Sequence, residues 1–266
     1  MIDTEFLLYL GAGAVAGLMS GLFGVGGGII IVPILGFLFI GLHFPEMHLM
    51  HLALGTSLAS IILTSISSAR AHHRNGNVNW LVVRRITPAV VIGTLLGTLV
   101  AAQLHSVWLK AVIAVFELCV ATQLLLNLNP NPHRNLPGRV GIGVAGGMIG
   151  IVSSLVGIGG GTLSVPYLIY CNFDTRHAIG TSAAVGLPIA VAGTLGYLIT
   201  GWHNKSLPQP SLGFVYLPAF AGIAIASIIT APLGATLAQR LPILTLKRLF
   251  ALLLYIVGLK MIWGLL

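Results

Sequence analysis

The sequence predicts an all-α polytopic membrane protein made of two inverted repeats, with about 8–10 membrane segments and half-helices broken at glycine-rich motifs. Three observations predict it. Apolar residues make up 56% of the chain and charged residues 7%, at a mean hydropathy of +1.00. Soluble domains carry about 25% charged residues, so this chain cannot cover a water-facing surface and its solvent is lipid. The stretch "SGLFGVGGGIIIVPIL" at 20–35 returns as "SSLVGIGGGTLSVPYL" at 153–168. Finally, the basic loops of the first half change places in the second.

Apolar segments fall at 5–23, 29–41, 50–71, 80–103, 107–127, 139–156, 162–173, 177–200, 212–238 and 244–265. Those near twenty residues are long enough to cross a hydrocarbon core of about 30 Å as helices. The second cannot: the run from Ile29 to Ile40 is twelve residues, which at about 1.5 Å each give about 18 Å. The seventh is equally short. Each short run follows a glycine cluster and reads as half of a broken helix. The acidic start "MIDTEFLLYL" lacks the basic region of a secretory signal, so the first segment is expected to be retained. Cys119 and Cys171 lie in apolar segments without a neighbouring cysteine, which indicates neither a disulfide framework nor a zinc site.

The duplication runs further than the glycines. "ALGTS" at 53–57 matches "AIGTS" at 178–182, and "AAQLHSVWLK" echoes "LAQRLPILTLK". We therefore divide the chain into a first repeat at 1–127, a polar, proline-rich linker at 128–138 and a second repeat at 139–266. After the third segment stand Arg70, Arg74, Arg84 and Arg85, whereas the matching connection holds only Lys205. After the fourth stands only Lys110, whereas its counterpart holds Arg240, Lys247 and Arg248. Under the positive-inside rule the repeats are inverted. Ten of the thirteen Lys and Arg residues then lie inside, leaving Lys110, Lys205 and Lys260, and both termini are external. Five spans per half satisfy inversion, as do three spans plus a re-entrant hairpin. The net charge of +8 follows from this bias and does not require nucleic acid.

Irregular backbone survives at membrane depth only where protein buries it or water lines it. After a break, the next half-helix begins with free N–H groups and a positive dipole end. Two such ends, one from each repeat, would make a site for a small anion. The candidate backbone donors are Gly24, Gly26, Gly27 and Gly28 in the first repeat and Gly157, Gly159, Gly160 and Gly161 in the second. The competing reading is close helix packing, which suits Gly13 and Gly17 in "GAGAVAGLMSG" better than the clusters. GVGGGI lacks the third glycine of a dinucleotide fingerprint.

Paired "GxGGG…VP" and "GTS" in an inverted duplication with few charges resembles the TauE/SafE family of sulfite and organosulfonate exporters. The likeness covers nearly the whole chain. It implies a carrier for small sulfur-containing anions in the bacterial cytoplasmic membrane, with no cofactor.

Several side chains are candidates for the site. Thr56, Ser57, Thr181 and Ser182 lie just inside long segments in both repeats. They either donate to an anion or bond back to a helix carbonyl. Ser20 and Ser153 flank the breaks in matched positions, and Arg176 would attract anions at the inner entrance or anchor the cytoplasmic side. Glu117 is the one acid inside a predicted span, where a charge is expensive. It reads as a proton-coupling site or as a neutral group bonded between helices. His43, Glu46, His48 and His51 fall within nine residues, but their counterpart keeps only Asp174 and His177. They read as a polar rim at the outer mouth rather than a metal site.

The leading function is a secondary transporter, since no GxxxxGK[ST] phosphate loop exists to supply energy. An anion channel of the same fold is the alternative. An intramembrane enzyme would need a nucleophile with its base, or paired acids, and the spans hold one Glu.

Overall fold

The computed structural model describes residues 4–23, 27–126, 136–204, 206–238 and 243–264. The helices are α1 (Thr4–Phe23), α2 (Gly28–Gly41), α3 (Leu49–Arg74), α4 (Trp80–Gln103) and α5 (Ser106–Leu125) in the first half. The second half holds α6 (Arg139–Val156), α7 (Gly161–Tyr170), α8 (Thr175–Gly201), α9 (Leu217–Ala238) and α10 (Ile243–Trp263). Among the described residues, α1, α3, α4, α5, α6, α8 and α9 are long and apolar enough to cross a membrane. The chain is an all-α multi-pass membrane protein.

The short segments are half-helices, as their length predicts. α2 has 14 residues and α7 has 10, or about 21 and 15 Å. Pro33 and Pro166 each stand one turn into them. A proline there removes a helical N–H and leaves the carbonyl four residues earlier without its usual donor.

The ninth segment differs from expectation. Residues 212–216 do not join the helix; Ser211–Leu212 (β1) pairs antiparallel with Val215–Tyr216 (β2). Gly213 turns the hairpin at φ 50°, and the Tyr216 N–H is taken by Thr56 across the molecule. Hydropathy alone cannot see such a turn, because Phe214, Val215 and Tyr216 are buried like helix residues.

α3 and α8 form the centre. They bury 83% and 61% of their most apolar stretch, against at most 39% for the other spans. They cross each other, with α2 laid on α3 and α7 on α8. Outside them α1 runs along α9, α4 along α6, and α5 pairs with α10. Exchanging α1–α5 with α6–α10 carries these pairings onto themselves. Gly13 and Gly17 do serve packing: a β-carbon on Gly13 would stand 2.6 Å from Ile223 Cα, and Gly17 is pressed against Ser227 and Thr230 of α9. Leucine, isoleucine and valine side chains such as Leu96, Leu99, Ile225 and Ile229 cover the outer faces, as lipid requires.

Candidate functional site

Each break is set by glycine in the left-handed region. Gly27 (φ 74°) precedes α2, Gly157 (φ 73°) ends α6, and Gly160 (φ 78°) precedes α7. Other residues pay about 1–2 kcal/mol for that backbone. The Gly27 carbonyl accepts from the amides of Ile30 and Ile31, both at 3.1 Å. The Gly160 carbonyl accepts from Leu163 at 3.1 Å and Ser164 at 2.7 Å. The first two amides of each half-helix, on Gly28 and Ile29 and on Gly161 and Thr162, therefore have no intrahelical acceptor. Neither N-cap carries a side chain that could cap them. Gly24 and Gly26 lie outside the described residues.

The two breaks touch. A β-carbon on Gly28 would stand 3.0 Å from Ile158 Cα and would collide with the Gly157 carbonyl oxygen. Ser57 on α3 donates to that same carbonyl at 2.9 Å. A β-carbon on Gly159 would stand 2.9 Å from Ile61 Cγ2, so α3 closes over the second break.

The GTS motifs perform a task that their sequence does not announce. The Thr56 hydroxyl accepts the N–H of Tyr216, the last residue before α9, at 3.0 Å. The Thr181 hydroxyl accepts the N–H of Asn79, the last residue before α4, also at 3.0 Å. The preceding glycines, Gly55 and Gly180, sit against the carbonyls of Phe214 and Asn77, two residues before each bonded amide. Among the described residues neither threonine hydroxyl bonds back to its own helix. Asn79 in turn caps α4, its side chain accepting the Val82 N–H at 3.2 Å.

Of the other candidates, Ser153 and Ser182 are fully buried and Ser20 nearly so. The hydroxyls of Ser153 and Ser182, with those of Thr162 and Ser164, have no hydrogen-bond partner among the described residues. Arg176 is exposed in the first turn of α8, where its amide donates to Asp174 at 3.2 Å. It is not brought together with the buried Thr181 and Ser182. Glu117 is fully buried on α5, and neither carboxyl oxygen has a partner among the described residues.

The histidines do not form a mouth rim as a group. His51 is 2% exposed, with Nε2 2.9 Å from the Ala101 carbonyl. Asn204 Nδ2 donates to His48 Nε2 at 2.6 Å, and both rings lie against Phe214. Among the described residues no three His, Cys, Asp or Glu side chains gather to hold a metal. Beside them Tyr216 packs against Tyr9, Phe39 and Phe44. Burial, with Glu5 second, pushes the Tyr216 phenol above its ordinary range, so it stays neutral.

Sequence reasoning missed Thr162, Ser164, Asn79 and Tyr216. A signal existed for the first two: "TLS" in the second motif replaces "III" in the first. None existed for the others, which contribute backbone amides.

Residues 9–261 match the family described as "Sulfite exporter TauE/SafE". A probable membrane transporter protein of Haemophilus influenzae is 39% identical over 97% of this chain and 98% of its own. A probable membrane transporter protein of Methanocaldococcus jannaschii is 27% identical over 98% of both chains. One of Bacillus subtilis is 26% identical over 97% of this chain and 98% of its own. No solved structure gives a significant match. A helical bundle that crosses the membrane repeatedly, broken twice at its centre, thus coincides with a family match along almost its whole length: the chain belongs to the sulfite exporter TauE/SafE family and is a membrane transporter, not an enzyme.

Proposed function

We propose that the protein is a secondary exporter of a small anion, sulfite or an organosulfonate or another sulfur-containing anion, in the bacterial cytoplasmic membrane. The anion is bound between two inverted repeats, residues 1–127 and 139–266, joined by the linker at 128–138, with both termini external. The observation that carries this reading is that the two breaks meet, Gly28 at the start of α2 packing against Gly157 at the end of α6, and that each break leads into a half-helix whose N-terminus has no capping side chain. Such ends attract anions. The exchange symmetry of the helix pairings supports a duplicated unit, and the swapped basic loops support its inversion.

The same contact favours a carrier over a channel, since a channel holds its passage open and here main chain meets main chain. Glu117 is the coupling residue of this reading: an acid inside a span, with no partner among the described residues, is expensive and is kept for function. The test is flux of radiolabelled sulfite from proteoliposomes under an imposed proton gradient. Saturable efflux that follows the gradient is expected. Efflux no faster than from protein-free vesicles, for sulfite, thiosulfate and a short sulfonate alike, overturns the reading.

A further inference from the structure

The two breaks match in backbone but not in chemistry. Where the first motif has Ile29 and Ile31, the second has Thr162 and Ser164. Ser164 is 1% exposed and Ser153 fully buried, and neither hydroxyl has a partner among the described residues. A β-carbon on Gly160 would lie 3.4 Å from Ser164 Oγ and 3.7 Å from Ser153 Oγ. Two unused hydroxyls therefore converge on the glycine that opens α7, beside the free amides of Gly161 and Thr162. Leaving a buried hydroxyl unmade costs about 1–3 kcal/mol, and the second break carries that cost twice at one point. In the first repeat, Ser57 is already engaged by the Gly157 carbonyl, and isoleucines fill the matching positions.

One side chain occupies the space at Gly160. The δ-methyl of Ile189, on α8, stands where a β-carbon on Gly160 would be. It is the far end of a flexible side chain, so a change of rotamer opens space beside Gly160. What enters must be compact. It must also accept hydrogen bonds on several sides from donors that carry no net charge.

We infer that the anion is held at the second break alone, as a compact oxyanion bound by Ser153, Ser164 and the amides of Gly161 and Thr162, with Ile189 as the plug that yields to it. This rests on the reading of the protein as an anion transporter and narrows it to one of the two breaks. The first break then packs the structure without touching the ligand. A neutral donor set favours a small inorganic oxyanion over an organic sulfonate, whose carbon tail has no room beside Ile189.

The experiment is binding of sulfite, sulfate and thiosulfate to the purified, detergent-solubilised full chain by titration calorimetry, with a thermal melt on every variant to verify folding. Ser153→Ala and Ser164→Ala are each expected to weaken binding about tenfold or more, as for a lost bond to a charged group. Ser20→Ala, the matching change at the first break, should stay within about twofold. Ser164→Thr keeps the hydroxyl and should keep most of the affinity, whereas Ser164→Ile copies the first break and should lose it. Ile189→Val shortens the plug without emptying the core and should bind at least as tightly as the wild type. Loss of affinity in Ser20→Ala equal to that in Ser153→Ala overturns the single-break site while leaving an anion transporter. Failure of the wild type to bind any of the three anions overturns both.

Discussion

The hydroxyl of Thr56 accepts the backbone N–H of Tyr216 at 3.0 Å, across 160 residues of chain. Thr181 and Asn79 repeat the relationship across 102 residues. Each threonine thus holds the entry to a helix in the opposite half of the molecule: α9 for Thr56, α4 for Thr181.

Thr56→Val and Thr181→Val keep the shape and remove the acceptor. Thr56→Val should leave the buried Tyr216 amide unpaired at a cost of about 1–3 kcal/mol, and Thr181→Val the part-buried Asn79 amide at the lower end of that range; in a chain of this size each kcal/mol lowers Tm by about 2–4 °C. Thr→Ser at either site should restore most of it. Melts in detergent measure this. Valine variants as stable as the wild type but inactive would transfer these hydroxyls from the fold to the ligand.

Residues 70–85 should face the cytoplasm and residues 201–210 the outside. Asn204 is a poor reporter, because its side chain holds His48 and Ser206. Asn75→Cys and His203→Cys, both at exposed positions, in a background lacking Cys119 and Cys171, should react with an impermeant maleimide from opposite sides. Labelling from one side only would remove the inversion.

Gly27→Leu and Gly160→Leu are expected to insert normally and to lose transport. The left-handed backbone charges a leucine about 1–2 kcal/mol; at Gly160 the side chain would also displace the Ile189 methyl toward the free amides, and at Gly27 it would press on the Ala16 carbonyl and shift the start of α2. Gly27→Asn, which tolerates that backbone, should melt closer to the wild type than Gly27→Leu does. Full transport in both leucine variants would reduce these glycines to packing.

Glu117→Gln preserves shape and should leave binding intact while transport ceases to follow the proton gradient. Glu117→Leu replaces an unpartnered carboxyl with apolar volume and should raise Tm while uncoupling transport, the trade expected where a costly group is retained for activity. A Gln variant still driven by the gradient assigns coupling to another residue.

Much of this architecture was legible in the chain. The lengths of 29–41 and 162–173 announced half-helices, and the density of glycine at 24–28 and 157–161 announced the breaks between them. What could not be read was the partner of each polar side chain. Thr56 and Thr181 looked like ligand hydroxyls because the amides they hold belong to Tyr216 and Asn79, and a backbone amide carries no mark in a sequence. The hairpin at 211–216 was hidden for a related reason: its residues are apolar because they are buried, and burial is common to helix and turn. Ile189 was one isoleucine among many until its methyl was seen against Gly160.

Gly28 and Gly157 meet main chain to main chain, with Ile61, Val32 and Leu54 packed around the contact. Most helix contacts can slide, since rotamers on both sides absorb the displacement. A side chain added at Gly28 would therefore press on backbone rather than on a rotamer, so even alanine there must shift the end of α6 or the start of α2.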